Sequence, residues 1–388
     1  MPHYRRLGDV PAKRHVAHHG ADGALRFEEL MGQDGFASNS ALLYHLRSPS
    51  AIVACDAVDD ETVMLSPDHP LLPRHLRTAE ITRGGDAVTG RTVVLGNDDL
   101  RLAWVVATET SSLYRNAVGD ELIYVQEGSA WLESVFGRLE VRAGDYVVIP
   151  ACTTHRWVVH EPFAALLVET TGHVRPPARY RAQQGQFLET APYCERDVRA
   201  PDAPLLTEGA NVPVLVRTRG GMTRMVHATH PFDVTGWDGC LYPWAMSIHD
   251  FEPIVGRVHQ PPPVHQTFEG PGFVVCSFVP RLYDFHPDAI KVPYHHANTD
   301  SDEVLFYSGG NFMSRTGSGI GIGSISFHPA GFVHGPQPGS LEASLERDRT
   351  DELAVMIDTF RPLGLTDAAR RIAAPDYPWT WAGITAPR

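Results

Sequence analysis

Two stretches in the second half of the chain, HANTDSDEVLFYSGG (296–310) and GSISFHPAGFVH (323–334), carry a spacing that fixes the fold. His296 is separated by six residues from Glu303, and Glu303 by six more from Gly310. Gly323 leads through five residues to Pro329, with Gly331 and His334 behind it. About 180 residues earlier, YRNAVGDELIYVQEG (114–128) and GDYVVIPACTTH (144–155) repeat the pattern with Tyr114 in the place of His296 and Glu121, Gly128, Pro150 and His155 in step. A chain that repeats such a pattern carries two copies of one structural unit. Alternate residues of a strand share a face, Thr299–Asp302 has the composition of a chain reversal, and Pro329 with Gly331 makes a second turn. His296, Glu303 and His334 can then converge inside one barrel.

The sequence around the repeats is of the same kind. LAWVVATE, SAWLESVFG, RLEVRAG and HRWVVHE in the first half, and VPVLVRT and FVVCSFVP in the second, are short β-branched or aromatic runs closed by Gly, Pro or a charge. The 34 glycines and 31 prolines fit a chain of many tight turns. The expected architecture is mainly β, a sandwich or barrel, with TDAARRIA (366–373) among the few helical stretches. Residues 172–210 are rich in Pro, Arg and Ala without an apolar period and read as a connection. That divides the chain into an N-terminal barrel region (1–175), a connection (176–210), and a C-terminal barrel with its tail (211–388).

Composition removes several classes of function. A net charge of -13 has the wrong sign for a nucleic-acid partner. Five scattered cysteines without a CxxC pair signal neither a disulfide framework nor a zinc ribbon, which fits a reducing cytoplasm. No run of 18 apolar residues occurs, so no membrane partner is expected. The glycine run 317–323 lacks the last glycine of a dinucleotide loop and a helix behind it, and reads as the lead into a strand. There is no GxSxG and no GK[ST].

The paired motifs resemble those of the cupin superfamily, H-x-H-x3/4-E-x6-G and G-x5-P-x-G-x2-H, with Asn298 in the place of the second histidine. The resemblance implies two cupin-like double-sheet β-barrels, a bicupin with few helices. Two imidazoles and one carboxylate, from His296, Glu303 and His334, form the facial set that holds non-haem Fe(II) with coordination positions open, although zinc or manganese suits the same donors. Tyr114 leaves Glu121 and His155 without a complete set, so the first barrel is expected to be structural.

A closer resemblance runs through EELMGQDGFASNSALLYHL, GDELIYVQEG, FDVTGWDGCLYPW, PYHHANTDSDEV and FHPAGFVHGPQPG, which look like the homogentisate 1,2-dioxygenase family. It implies ring opening of a dihydroxylated aromatic acid by O2, with homogentisate giving maleylacetoacetate, and the iron ligands fall on the same three residues. The family's base on the substrate hydroxyl matches His259 in RVHQPPPVHQTFEG, with His265 a rival across the proline run. Tyr294, Phe312 and His328, together with His265, are expected against the substrate. Phe312 stands where the family has a tyrosine, and one residue is inserted between His296 and Glu303. Both departures leave gentisate or another hydroquinone open as substrate. An isomerase or lyase on the same fold, and a binding bicupin without catalysis, are the readings from other classes. The resemblance also implies trimers or hexamers.

Overall fold

The structure, a computed structural model, describes residues 3–58 and 63–386. It is mainly β, and the described residues include only two short α-helices, Ser340–Ser344 and Asp367–Ile372. The second is the helix expected in TDAARRIA: the Thr366 side chain accepts a hydrogen bond from the Ala369 amide and caps its first turn. Two double-sheet β units are present, as the repeat predicts, but their boundaries differ from the expected ones. One unit gathers Met1–Thr62, Arg83–Arg91 and Val105–Ser247, and the other Val63–Thr82, Thr92–Trp104 and Ile248–Arg388.

In the first unit, strand Glu121–Glu127 lies between Asp145–Ile149 and Phe163–Thr170, and Glu121 faces Ile149 on one side and Glu169 on the other. A second sheet sets Ser129–Ser134 between Gly137–Arg142 and His155–Val159, with Tyr114 opposite His155. The Gly137–Arg142 strand alternates strictly, sending Leu139 and Val141 inward and Arg138, Glu140 and Arg142 outward. Residues 211–247 belong here and not to the C-terminal barrel. Strand Ala210–Thr218 runs parallel to Leu113–Asn116 and forms a hairpin with Gly221–Thr229, a pairing between distant segments that leaves no local trace in sequence. The segment read as a connection is also anchored: Val174, Tyr180, Tyr193 and Val198 are buried, and Val198–Arg199 pairs with Trp244–Ser247. Its apolar residues are too irregularly spaced to show a period.

The second unit is built on a sheet ordered Gln266–Gly270, Phe273–Phe278, Leu353–Thr359, Asp302–Gly309, Ser324–His328 and Arg74–Arg77. Its last strand comes from the first fifth of the chain, in antiparallel register from Arg77 opposite Ser324 to Arg74 opposite Phe327. The His75 ring lies 2.8 Å from the Ser324 hydroxyl.

The repeat shares its supports as well as its strands. Asp302 accepts from the amides of Ala330 (2.8 Å) and Leu363 (2.7 Å), and Asp120 accepts in the same way from Ala151 (2.8 Å) and Val174 (2.9 Å). Each carboxylate ties two loops to the start of a central strand. Gly310 and Gly128 close those strands at φ +80 and +76, where a Cβ would collide with the carbonyls of Asp351 and Pro162.

Candidate active site

His296 and His334 form an antiparallel bridge, each amide donating to the other's carbonyl at 2.8 and 2.9 Å. This sets their rings side by side, with centroids 4.3 Å apart. The Nδ1 of His296 is 3.0 Å from the Tyr294 carbonyl and that of His334 is 3.2 Å from the Phe332 carbonyl. A carbonyl only accepts, so the hydrogen-bond network assigns the proton to Nδ1 in both rings and leaves the Nε2 lone pairs free. Those atoms lie 3.6 and 3.2 Å from Glu303 Oε2 and Oε1. One ligand atom from each of the three residues falls within 4.8 Å of the others. His334 Nε2 is buried and makes no hydrogen bond among the described residues, its line to Glu303 being poorly aligned for one. Two imidazole lone pairs and a carboxylate converging in this way fit a divalent cation.

Glu303 is positioned from behind. His328 Nδ1 lies 2.9 Å from Glu303 Oε1, and its Nε2 lies 2.9 Å from the Tyr377 hydroxyl. The consistent assignment has the tyrosine donating to Nε2 and Nδ1–H donating to the carboxylate. Burial pushes the His328 imidazole down to about 3, so the ring stays neutral in that relay. Burial alone would raise the Glu303 carboxyl, but contacts from His296, His328 and His334 hold it well below the ordinary range. Tyr377 sits in the C-terminal tail, far from either motif, and no local pattern marks it.

The candidate substrate residues divide. His259, His265 and Tyr294 line a cavity of about 330 Å³ whose wall also includes His296 and Glu303. His328 and Phe312 do not line it. His328 is fully buried behind Glu303, stacked on His334 at 4.0 Å, because both of its nitrogens are committed to protein partners. Phe312 is core, packed on Tyr307 at 4.9 Å with Cys276, Leu305 and Met356, since an all-hydrocarbon ring is better buried than left at a polar wall. The substrate-binding expectation for both is corrected on these grounds.

Of the two histidines between which the sequence left the base open, His259 is half exposed with Nδ1 3.3 Å from Asp284 Oδ2. Its ring stands edge-on to Tyr294 at 5.1 Å. His265 is buried, its Nδ1 has no partner among the described residues, and burial pushes its imidazole down to about 3.

Arg315 and Asp358 line the cavity without any motif signal. Asp358 faces Glu303 across the ladder, and burial together with the Glu303 charge raises its carboxyl to about 7. The repeat itself could have revealed it, because Glu169 faces Glu121 in the same register.

In the first unit the equivalent centre is filled by protein. Arg91 donates from Nη1 and Nη2 to the two Glu121 oxygens at 2.8 and 2.9 Å, and from Nη1 to Glu169 at 2.7 Å. The guanidinium lies over the Tyr114 ring at 5.4 Å, and the Tyr114 hydroxyl donates to Glu121 at 3.0 Å.

Fold and site together define a bicupin with a candidate mononuclear metal centre in one of its barrels. A family model described as "Homogentisate 1,2-dioxygenase N-terminal" matches residues 87–248. The Saccharolobus solfataricus protein named "Putative dioxygenase" is 39% identical over 385 residues, spanning 98% of this chain and 99% of its own length. The homogentisate 1,2-dioxygenase of Rhodopseudomonas palustris is 24% identical over 339 residues, covering 82% of this chain and 73% of that enzyme. A solved cupin 2 conserved barrel domain protein from Leptotrichia buccalis aligns with 78% of this chain and all of its own at 9% identity and a TM-score of 0.33. The chain belongs to the homogentisate 1,2-dioxygenase family of dioxygenases. Among the described residues no helix is long and apolar enough to cross a membrane.

Proposed function

We infer that this protein is an Fe(II)-dependent ring-cleaving dioxygenase of a dihydroxylated aromatic acid, with homogentisate opened to maleylacetoacetate. The supporting geometry is the convergence of two imidazoles and a carboxylate within 4.8 Å, at the wall of a cavity of about 330 Å³. That volume suits a single-ring ligand. His296, Glu303 and His334 are the residues that would hold the ion. When bound, Fe(II) supplies a Lewis acid for a ring oxygen and electron transfer toward O2.

The remaining work falls to the protein. His259 accepts the proton of the ring hydroxyl, and Asp284 on its other nitrogen stabilises the imidazolium that results. His265 is unsuited to that step, because burial opposes its protonation; it orients the ring as a neutral group. Tyr294, between His259 and His296, supplies an aromatic wall. Both oxygen atoms of O2 end in the opened product, so the reaction needs no external reductant.

Anaerobic loading with Fe(II), followed by oxygen-electrode measurements with homogentisate, gentisate and unsubstituted hydroquinone, tests this reading. Uptake equimolar with homogentisate consumed is the expected result. Uptake with none of the three overturns it, and turnover that persists without oxygen identifies an isomerase or lyase instead.

A further inference from the structure

Besides Glu303, four charged side chains line the cavity: Arg281, Arg315, Glu352 and Asp358. Arg281 and Glu352 are paired with each other. Arg281 lies 3.6 Å from Glu352 and donates to the Val279 carbonyl at 3.0 Å. Asp358 sits opposite Glu303 with its Oδ1 unpartnered among the described residues, and as a carboxyl it offers an acid group on a ligand no counter-charge. Arg315 is different. It is only 7% exposed, and no carboxylate among the described residues comes within 4.0 Å of it.

Its two bonds go to neutral acceptors: Nε donates to the Tyr307 hydroxyl at 2.9 Å, and Nη1 donates to the Gly335 carbonyl at 2.8 Å. Nη2 makes no hydrogen bond among the described residues. The guanidinium is therefore held in a fixed orientation, out of bulk water, with a donor to spare and no counter-charge bonded to it. Such a cation is costly to keep unless an anion completes it, and a planar guanidinium prefers a carboxylate. Phe312, three residues earlier, cannot provide a hydroxyl for that purpose and is turned into the core.

We propose that Arg315 is the residue that reads the acid group of the substrate, pairing through Nη2 with the carboxylate so that the hydroxylated carbon faces His296, Glu303 and His334. The assignment rests on the cavity being the aromatic-acid site, and it makes Arg315 a specificity determinant for ligands carrying a carboxylate beside the ring. Arg281, already engaged by Glu352, plays no part in it.

The test is equilibrium binding to the full-length, metal-free protein by calorimetry, with homogentisate and 2-methylhydroquinone, which lacks only the carboxylate, as matched probes. The wild type is expected to prefer the acid by about 10- to 100-fold, the range for a charge-assisted bond. Arg315→Met is expected to erase that preference while holding affinity for 2-methylhydroquinone within about threefold, and Arg315→Lys to keep part of the preference. A wild type without preference, or an Arg315→Met variant that retains it, overturns the proposal. If Arg315→Met loses both ligands through misfolding, Arg315→Lys decides: undiminished or absent preference against an intact affinity for 2-methylhydroquinone each counts against the assignment. Because no oxygen is consumed, failure of the ring-cleaving reaction leaves this result standing, and loss of the acid preference leaves the reaction standing.

Discussion

The two barrels begin from one plan and finish with different centres. In each, a carboxylate at the start of a central strand faces a second carboxylate across the ladder, Glu121 with Glu169 and Glu303 with Asp358. A bridge joins the flanking strands at Tyr114–His155 in one and His296–His334 in the other. In the first unit a guanidinium bonds both carboxylates and a phenol stands where the second unit has an imidazole. In the second unit, no arginine among the described residues bonds the pair, the imidazole lone pairs point inward, and a cavity opens beside them. The first centre carries its counter-charge in Arg91, whereas the second presents two imidazole lone pairs and a carboxylate that fit a divalent cation.

The sharpest break in that comparison comes from the second centre. His334→Ala is expected to lower bound iron from near one per chain to under about a tenth, and oxygen uptake by at least about 1,000-fold, by elemental analysis and oxygen electrode. His155→Ala is expected to leave metal content unchanged. On the other side, Arg91→Met takes the guanidinium from Glu121 and leaves Glu169 with Arg217 alone at 3.9 Å, and is expected to cost about 3–5 kcal/mol, read from the denaturant midpoint, with iron content intact. Tyr377→Phe removes the donor to His328 and loosens Glu303. A loss of about 0.5–1.5 kcal/mol in stability is expected, with turnover down several-fold and KM nearly constant in steady-state kinetics.

The smallest effect is a pH slope. Burial alone would raise the Glu121 carboxyl, but Arg91, His155 and Asn116 hold it below its ordinary 4.5. Since the folded value is depressed, its contribution is complete above 4.5 and drains away as pH falls. Midpoints measured from pH 6 downward should decline for wild type, and Arg91→Met should flatten that decline.

The metal-ligand candidates were legible because the motif fixes them by spacing within two short segments, and a strand ladder converts spacing directly into position. His328 misled for a related reason: it lies on the same strand as the motif, but sequence does not say which of its neighbours claims each ring nitrogen. Tyr377 and Arg315 were hidden because each reaches the centre from a separate element whose approach depends on tertiary packing, whereas Asp358 shows only when the two copies are compared at Glu169. The division at residues 176–210 failed in the same way, since strands Arg74–Arg77 and Ala210–Thr218 join sheets assembled from remote parts of the chain.

The edge strand Arg74–Arg77 also bears on how the molecule is made. His75 and its partner Ser324 are 249 positions apart, so at ordinary translation speeds roughly 12 to 50 seconds separate their emergence from the ribosome. During that interval the strand has nothing to pair with, and the nascent chain must keep an open β edge from capturing a neighbour. A gene fragment beginning at Ile248 would produce a sheet ending at Ser324–His328, one strand short beside the candidate iron ligands. Expression of the C-terminal half alone should therefore yield aggregates unless residues 63–104 are supplied in trans.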